Sequence, residues 1–65
     1  MKTLWSTINK ELKKNENIFI IREKEINKKK GKMNEYTFDE IFNIYSENEK
    51  VIKIWHEDGL CIVIK

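Results

Sequence analysis

The apolar positions of this chain change period along its length, and the last stretch makes the heaviest demands. Val51 to Lys65 reads VIKIWHEDGLCIVIK, two apolar β-branched runs flanking Asp58-Gly59. Asp-Gly between such runs predicts a β-hairpin, because glycine accepts the positive φ of a type I′ turn and aspartate tolerates it. A two-residue turn sets Trp55 opposite Ile62, Ile54 opposite Val63 and His56 opposite Cys61. One face then carries Ile52, Ile54, Cys61 and Val63. The other carries Val51, Trp55, Leu60, Ile62 and Ile64, interrupted by Lys53 and Glu57. Neither face is polar enough to stand in water, so the hairpin requires cover on both sides.

Upstream, Leu4, Ile8 and Leu12 recur every four residues with Trp5 beside them, the stripe of an amphipathic helix over about residues 4–14. Thr3 or Ser6 supplies its cap, and Asn15 and Asn17 its stop. Ile18-Phe19-Ile20-Ile21 is a short β-branched run and reads as a strand buried on both sides. Arg22 to Glu25 alternates charge, so the strand leaves the core there. Lys28-Lys29-Lys30-Gly31-Lys32 follows as a charged loop, mobile at its tip, and Met33 to Tyr36 returns as a weak strand.

Thr37 and Glu40 form a capping box, with Tyr36 placed to staple onto Ile41. Phe38, Ile41, Phe42 and Tyr45 then fall at i, i+3, i+4 and i+7 of a second helix, flanked by Ile44. Ser46 to Lys50 turns the chain into the C-terminal hairpin. The order α-β-β-α-β-β predicts a single α+β domain spanning residues 1–65, with two helices on a four-stranded mixed sheet. Placing the most apolar strands centrally gives strand order 2-1-4-3, with strands 1 and 4 parallel and the second helix crossing over.

At 65 residues the chain is near the lower limit for a self-supporting core. Its 37% charged content leaves a heavily solvated exterior, and its net charge of +2 points neither to a DNA mimic nor to a strongly basic nucleic-acid binder. Arg22 is the sole arginine, which weakens sequence-reading recognition of nucleic acid. Cys61 is the sole cysteine, so an intrachain disulfide is excluded and a reducing, cytoplasmic setting is expected. The start of the chain turns polar within a few residues and offers no signal-peptide core, and no apolar run is long enough to suggest a membrane span.

His56 and Cys61 are the one nucleophile–base pair in reach, cross-strand neighbours in the expected register. No third orienting group, glycine-rich oxyanion loop or roomy cleft accompanies them, so no catalysis is expected. One histidine and one cysteine are too few soft ligands for a structural zinc site within one chain, and no cofactor is expected. The tip lysines, Lys28, Lys29, Lys30 and Lys32, create a local positive field that suits phosphate or an acidic protein surface.

The expected function is therefore that of a non-enzymatic protein-binding module. Its partner site is expected at Lys28, Lys29, Lys30 and Lys32, with Arg22, Lys24, Lys53 and Trp55. A nucleic-acid-binding regulator using the Lys28–Lys32 loop is the alternative. In size and composition the chain is similar in kind to small inhibitors of phage and mobile elements, anti-CRISPR proteins among them, a likeness that rests on no motif. Trp55, Leu60, Ile62 and Ile64 are expected to form an exposed face that closes a homodimer. Otherwise the first helix covers that face and the second helix the opposite one.

Overall fold

The computed structural model describes residues 2–65, Met1 lying outside the described residues. In chain order the elements are helix α1 (Leu4–Glu11), strand β1 (Ile18–Arg22), strand β2 (Asn34–Tyr36), helix α2 (Phe38–Ile44), strand β3 (Val51–His56) and strand β4 (Leu60–Ile64). The strands form one mixed sheet in the order β2-β1-β4-β3. β1 and β4 run parallel, and the outer pairs are antiparallel, as the apolarity of the strands predicted.

The C-terminal hairpin forms with a longer loop than a type I′ turn. His56 pairs with Leu60, leaving Glu57, Asp58 and Gly59 as the connection. Asp58 takes φ 60° and Gly59 φ 145°. The extra residue shifts the expected register by one, which moves side chains between faces. Trp55 pairs with Cys61 and Ile54 with Ile62. A bulge between Val51 and Lys53 then restores Val51 to a place opposite Ile64 and pushes Ile52 outward.

Ile18, Ile20, Leu60, Ile62 and Ile64 share one face, and Leu4, Ile8 and Ile41 from the two helices close over them. Both helices therefore lie on the same side of the sheet, not on opposite sides as the two-helix sandwich required. Leu60, Ile62 and Ile64 are 0% exposed, so the dimer face expected from them is the core of the monomer. The error traces to the loop length. Adding one residue carried Trp55 to the opposite face, beside Cys61, Val63, Phe19 and Ile21.

That opposite face is covered by the connection between β1 and β2. Glu23–Glu25 forms a 3₁₀ turn, and Ile26 to Gly31 continues as a further turn. It closes by a Schellman motif: Gly31 N–H donates to the Ile26 carbonyl at 2.8 Å and Lys30 N–H to the Asn27 carbonyl at 3.3 Å. Lys30, at φ 53°, takes the left-handed position of the motif. Gly31 and Met33 line a cleft with Phe19, Trp55 and Cys61, which sets the connection across the sheet. The lysine loop is thus a hydrogen-bonded cover rather than a free tip.

Helix α1 is shorter than its apolar stripe. Thr3 caps it, its hydroxyl accepting the Ser6 N–H at 3.2 Å while Ser6 Oγ accepts the Thr3 N–H at 3.3 Å. It stops at Glu11 because Leu12 turns extended, and Glu16 then caps the following turn by accepting the Lys13 N–H at 2.9 Å. Asn15 occupies a left-handed conformation (φ 64°) that its side chain tolerates. The capping box of α2 is present, with the Glu40 carboxylate 2.8 Å from the Thr37 N–H. Tyr36, expected as a staple, meets Tyr45 ring-edge to ring-face, their hydroxyls 2.8 Å apart.

Two substitutions test this packing. A Cβ at Gly59 would lie 2.5 Å from the Asn17 carbonyl oxygen, at the point where Leu60 N–H bonds that same oxygen. Gly59→Ala is expected to cost about 2–4 kcal/mol through strain and displacement of β1, read by denaturant unfolding. Thr7 is 3% exposed, and its hydroxyl finds no partner among the described residues. Thr7→Val removes that orphan and is expected to stabilise by about 1 kcal/mol, visible as a raised Tm.

Candidate functional site

The chain's sole arginine is committed to the fold. Arg22 leaves the end of β1 and donates to both carboxylate oxygens of Glu49, at 3.2 and 2.9 Å, and to the Lys65 carbonyl at 3.0 Å. Its guanidinium also lies 5.5 Å from the centre of the Tyr45 ring. Glu49 further accepts the Ser46 N–H at 3.2 Å, and its own carbonyl accepts the Leu4 N–H at 2.8 Å. One ion pair thus ties β1, the start of α1 and the α2–β3 connection together. Arg22, expected at a partner site, serves in this clasp through three of its N–H groups.

The electrostatics follow from these contacts. Hydrogen bonding to Arg22 holds the Glu49 carboxyl below its ordinary value and the Arg22 guanidinium above its own. Burial, together with the Tyr36 hydroxyl, pushes the Tyr45 phenol well up.

The lysines divide. Lys24, Lys28, Lys30 and Lys32 are exposed on the turn, while Lys29 is half-buried and sits 3.8 Å from Glu25 one helical turn away. Because the turn folds over the sheet, it lies on the same side as Trp55 and Lys53. Lys53 Nζ is 5.4 Å from the centre of the Trp55 ring. Trp55 and Phe19 are half-buried in the cleft beneath, with Glu57 and Asp58 at its end. The structure therefore sets the lysine turn, Lys53 and Trp55 on one side of the sheet and places Arg22 in a separate clasp at the end of β1.

His56 and Cys61 separate. With His56 opposite Leu60 and Cys61 opposite Trp55, their side chains project from opposite faces of the sheet. His56 turns to the α1 side, its Nδ1 2.7 Å from Glu16 Oε2 and its Nε2 3.7 Å from Glu11 Oε1. The hydrogen bond to His56 holds the Glu16 carboxyl below its ordinary value. Cys61 is buried, its Sγ 3.5 Å from the Glu57 carbonyl oxygen, and burial pushes the thiol up, away from the reactive thiolate. Among the described residues no group of three His, Cys, Asp or Glu could hold a metal ion, and no helix is long and apolar enough to cross a membrane.

A second surface escaped the reading of the sequence. Trp5 and Phe38 sit on the two apolar helical stripes, yet they are 44% and 42% exposed. Trp5 packs edge-on against Phe42 with centroids 5.3 Å apart, and Phe42 against Phe38 at 6.3 Å. The three rings form one patch on the outer side of the helical layer. The signal was available: Leu4 and Trp5 are adjacent, so they stand about 100° apart on the wheel and cannot both point at the sheet. Likewise, a helix as short as α2 has room for one central core residue, Ile41, flanked by rings that spill outward.

Comparison with protein-family models, with curated proteins and with solved structures returns no match for this chain.

The clasp carries a pH dependence of known sign. A carboxyl held below its unfolded value stabilises the fold above that value, and the gain is lost as pH falls through the folded one. Glu49→Gln is expected to cost about 1–2 kcal/mol near neutral pH, a figure reduced for the partial exposure of the pair. The gap between wild type and variant should narrow below about pH 4 and close once folded Glu49 is protonated. Urea unfolding across that range measures it; a gap constant with pH would remove the clasp from the account.

Proposed function

We propose that this chain is a non-enzymatic module that docks on a partner protein, as an inhibitor does when it occupies a working surface. The observation that supports this reading is the Trp5–Phe42–Phe38 patch. Large rings left in water cost free energy unless something else covers them, and aromatic side chains dominate the energetics of protein interfaces. Their mutual edge-on packing also holds them rigid, so little side-chain entropy remains to be lost on binding.

A nucleic-acid-binding reading has one specific observation in its favour. The lysine turn lies beside the half-buried rings of Trp55 and Phe19, and a cationic rim over aromatic faces is how unpaired bases are held. Glu57, Asp58, Glu35 and Glu25 on or near that surface oppose it by diluting the field.

The readings separate by variant. A Trp5→Ser, Phe38→Ser protein should stay folded but lose about 1–3 kcal/mol, because each ring is a little more than half covered, in part by Phe42. Immobilised wild type should enrich a protein from its source lysate that this double variant does not, while a protein with Lys28, Lys30 and Lys32 replaced by Ser retains it. If the lysine variant alone loses the partner, the patch is not the docking surface. Binding of a single-stranded oligonucleotide that weakens steeply with salt and disappears in the lysine variant would favour the second reading.

A further inference from the structure

We infer that the flank of helix α1 takes a phosphate monoester. The inference does not depend on the docking role proposed above, because it rests on a cavity and not on the aromatic patch. A cavity of about 220 Å³ opens beside α1, lined by Lys2, Ser6, Thr7, Lys10 and Glu11. Lys2 and Lys10 are exposed and make no ion pair among the described residues. Glu11 is the one carboxylate of the lining, and it lies 3.7 Å from His56 Nε2. The first-turn amides of α1 are all bonded within the chain. Leu4 N–H donates to the Glu49 carbonyl, Trp5 N–H to the Glu47 carbonyl, and the Ser6 and Thr7 N–H groups to Thr3. Side chains therefore make this site, and the helix end does not.

Thr7 is what separates this lining from an ordinary charged groove. It is 3% exposed, and its hydroxyl is the one buried polar side-chain atom without a partner among the described residues. Folds keep few such groups, because a buried donor left unbonded costs free energy, and a ligand that completes it accounts for it. Ser6 is not the spare donor, since its hydroxyl donates to the Thr3 carbonyl at 3.2 Å as part of the capping box. The Thr7 hydroxyl keeps its proton to give, and two ammonium groups share the lining with it. Two cations and a neutral donor call for a group with more than one negative charge and several acceptor oxygens. A phosphate monoester carries about −1.5 to −2 near neutral pH and presents three such oxygens. A carboxylate brings a single charge, which Glu11 already opposes. The stabilisation expected of Thr7→Val has the same origin: that variant folds better and binds worse.

The test is a titration of the isotope-labelled full chain with glycerol phosphate, followed by NMR at an ionic strength held constant with chloride. Saturable shifts are expected at Ser6, Thr7, Lys10 and Glu11. Thr7→Val and Lys10→Gln should each weaken binding on the order of tenfold, Thr7→Ser should retain it, and Glu11→Gln should tighten it. Glycerol phosphate should raise the Tm of wild type and leave that of Thr7→Val where it was. The Lys28, Lys30 and Lys32 to Ser variant should bind as wild type does. A phosphoserine peptide distinguishes the two sources of the ester. Binding tighter than that of glycerol phosphate, with the gain lost in Trp5→Ser, assigns the phosphate to a side chain of a docked partner. Equal binding assigns it to a free small molecule, and the site stands in both cases. If Thr7→Val binds as tightly as wild type, if the shifts fall on the lysine turn instead, or if no ester saturates the site, the inference is overturned. A single-stranded oligonucleotide that shifts these residues more strongly than the ester overturns it too, by making the cavity part of a surface for the nucleic-acid backbone.

Discussion

Strand β4 is the constraint on which the rest of the molecule depends. Its five side chains are all buried, from 0% to 6% exposed, and they alternate between the two faces of the sheet. A central strand with no polar face must be covered from both sides, as in sheets with layers above and below. Two short helices form one layer. The described residues form no third α-helix for the other, so the connection between β1 and β2 serves, although it carries most of the local lysines. The lysine turn therefore cannot be treated as a free appendage. Its Schellman closure and its position across Phe19, Trp55 and Cys61 make it structural on its inner side and charged on its outer side.

The parallel pairing of β1 with β4 was legible because apolar content ranks strands by centrality, and Ile18–Ile21 and Leu60–Ile64 are the two most apolar runs. The capping box of α2 was legible too, since Thr37 precedes Glu40 at the right spacing, whereas at α1 the sequence offered Thr3 or Ser6 and the fold uses both, Thr3 as the cap and Ser6 as its reciprocal partner. The hairpin register was not. Asp58-Gly59 signals a turn, but the loop length is fixed by something local sequence does not contain: the approach of Gly59 to the Asn17 carbonyl, more than forty residues earlier. One residue of loop then decided the face of every side chain in β3 near the turn, and with it the separation of His56 from Cys61. A short-range motif fixes the existence of a hairpin more firmly than its phase.

The candidate surfaces were half legible for a related reason. A charge run announces itself in sequence, so the lysines were found, whereas their proximity to Trp55 follows only from the folded connection. Exposed rings do not announce themselves. Trp5 and Phe38 obey the periodicity of a buried stripe, and only the short lengths of α1 and α2 leave them outside. Arg22 shows the converse. Read as a surface cation, it is drawn inward because the clustered ends of β1, β4 and the α2–β3 connection offer a carboxylate, a carbonyl and a ring in reach of one fork.

These two displacements are connected. A small domain with one arginine can spend it on recognition or on closing its own fold, and here Glu49 and Tyr45 hold it inside. With Arg22 held, the remaining positive charge is lysine alone, on the β1–β2 turn and Lys53 on one side of the sheet and at Lys2 and Lys10 along α1 on the other, where the interlocked rings also lie. The two faces thus differ in kind. A lysine-rich surface attracts broadly and is screened by salt, whereas interlocked rings demand a matching shape. Specificity belongs on the helical face of this molecule, because there the exposed groups are large rings held rigid by one another rather than mobile ammonium groups.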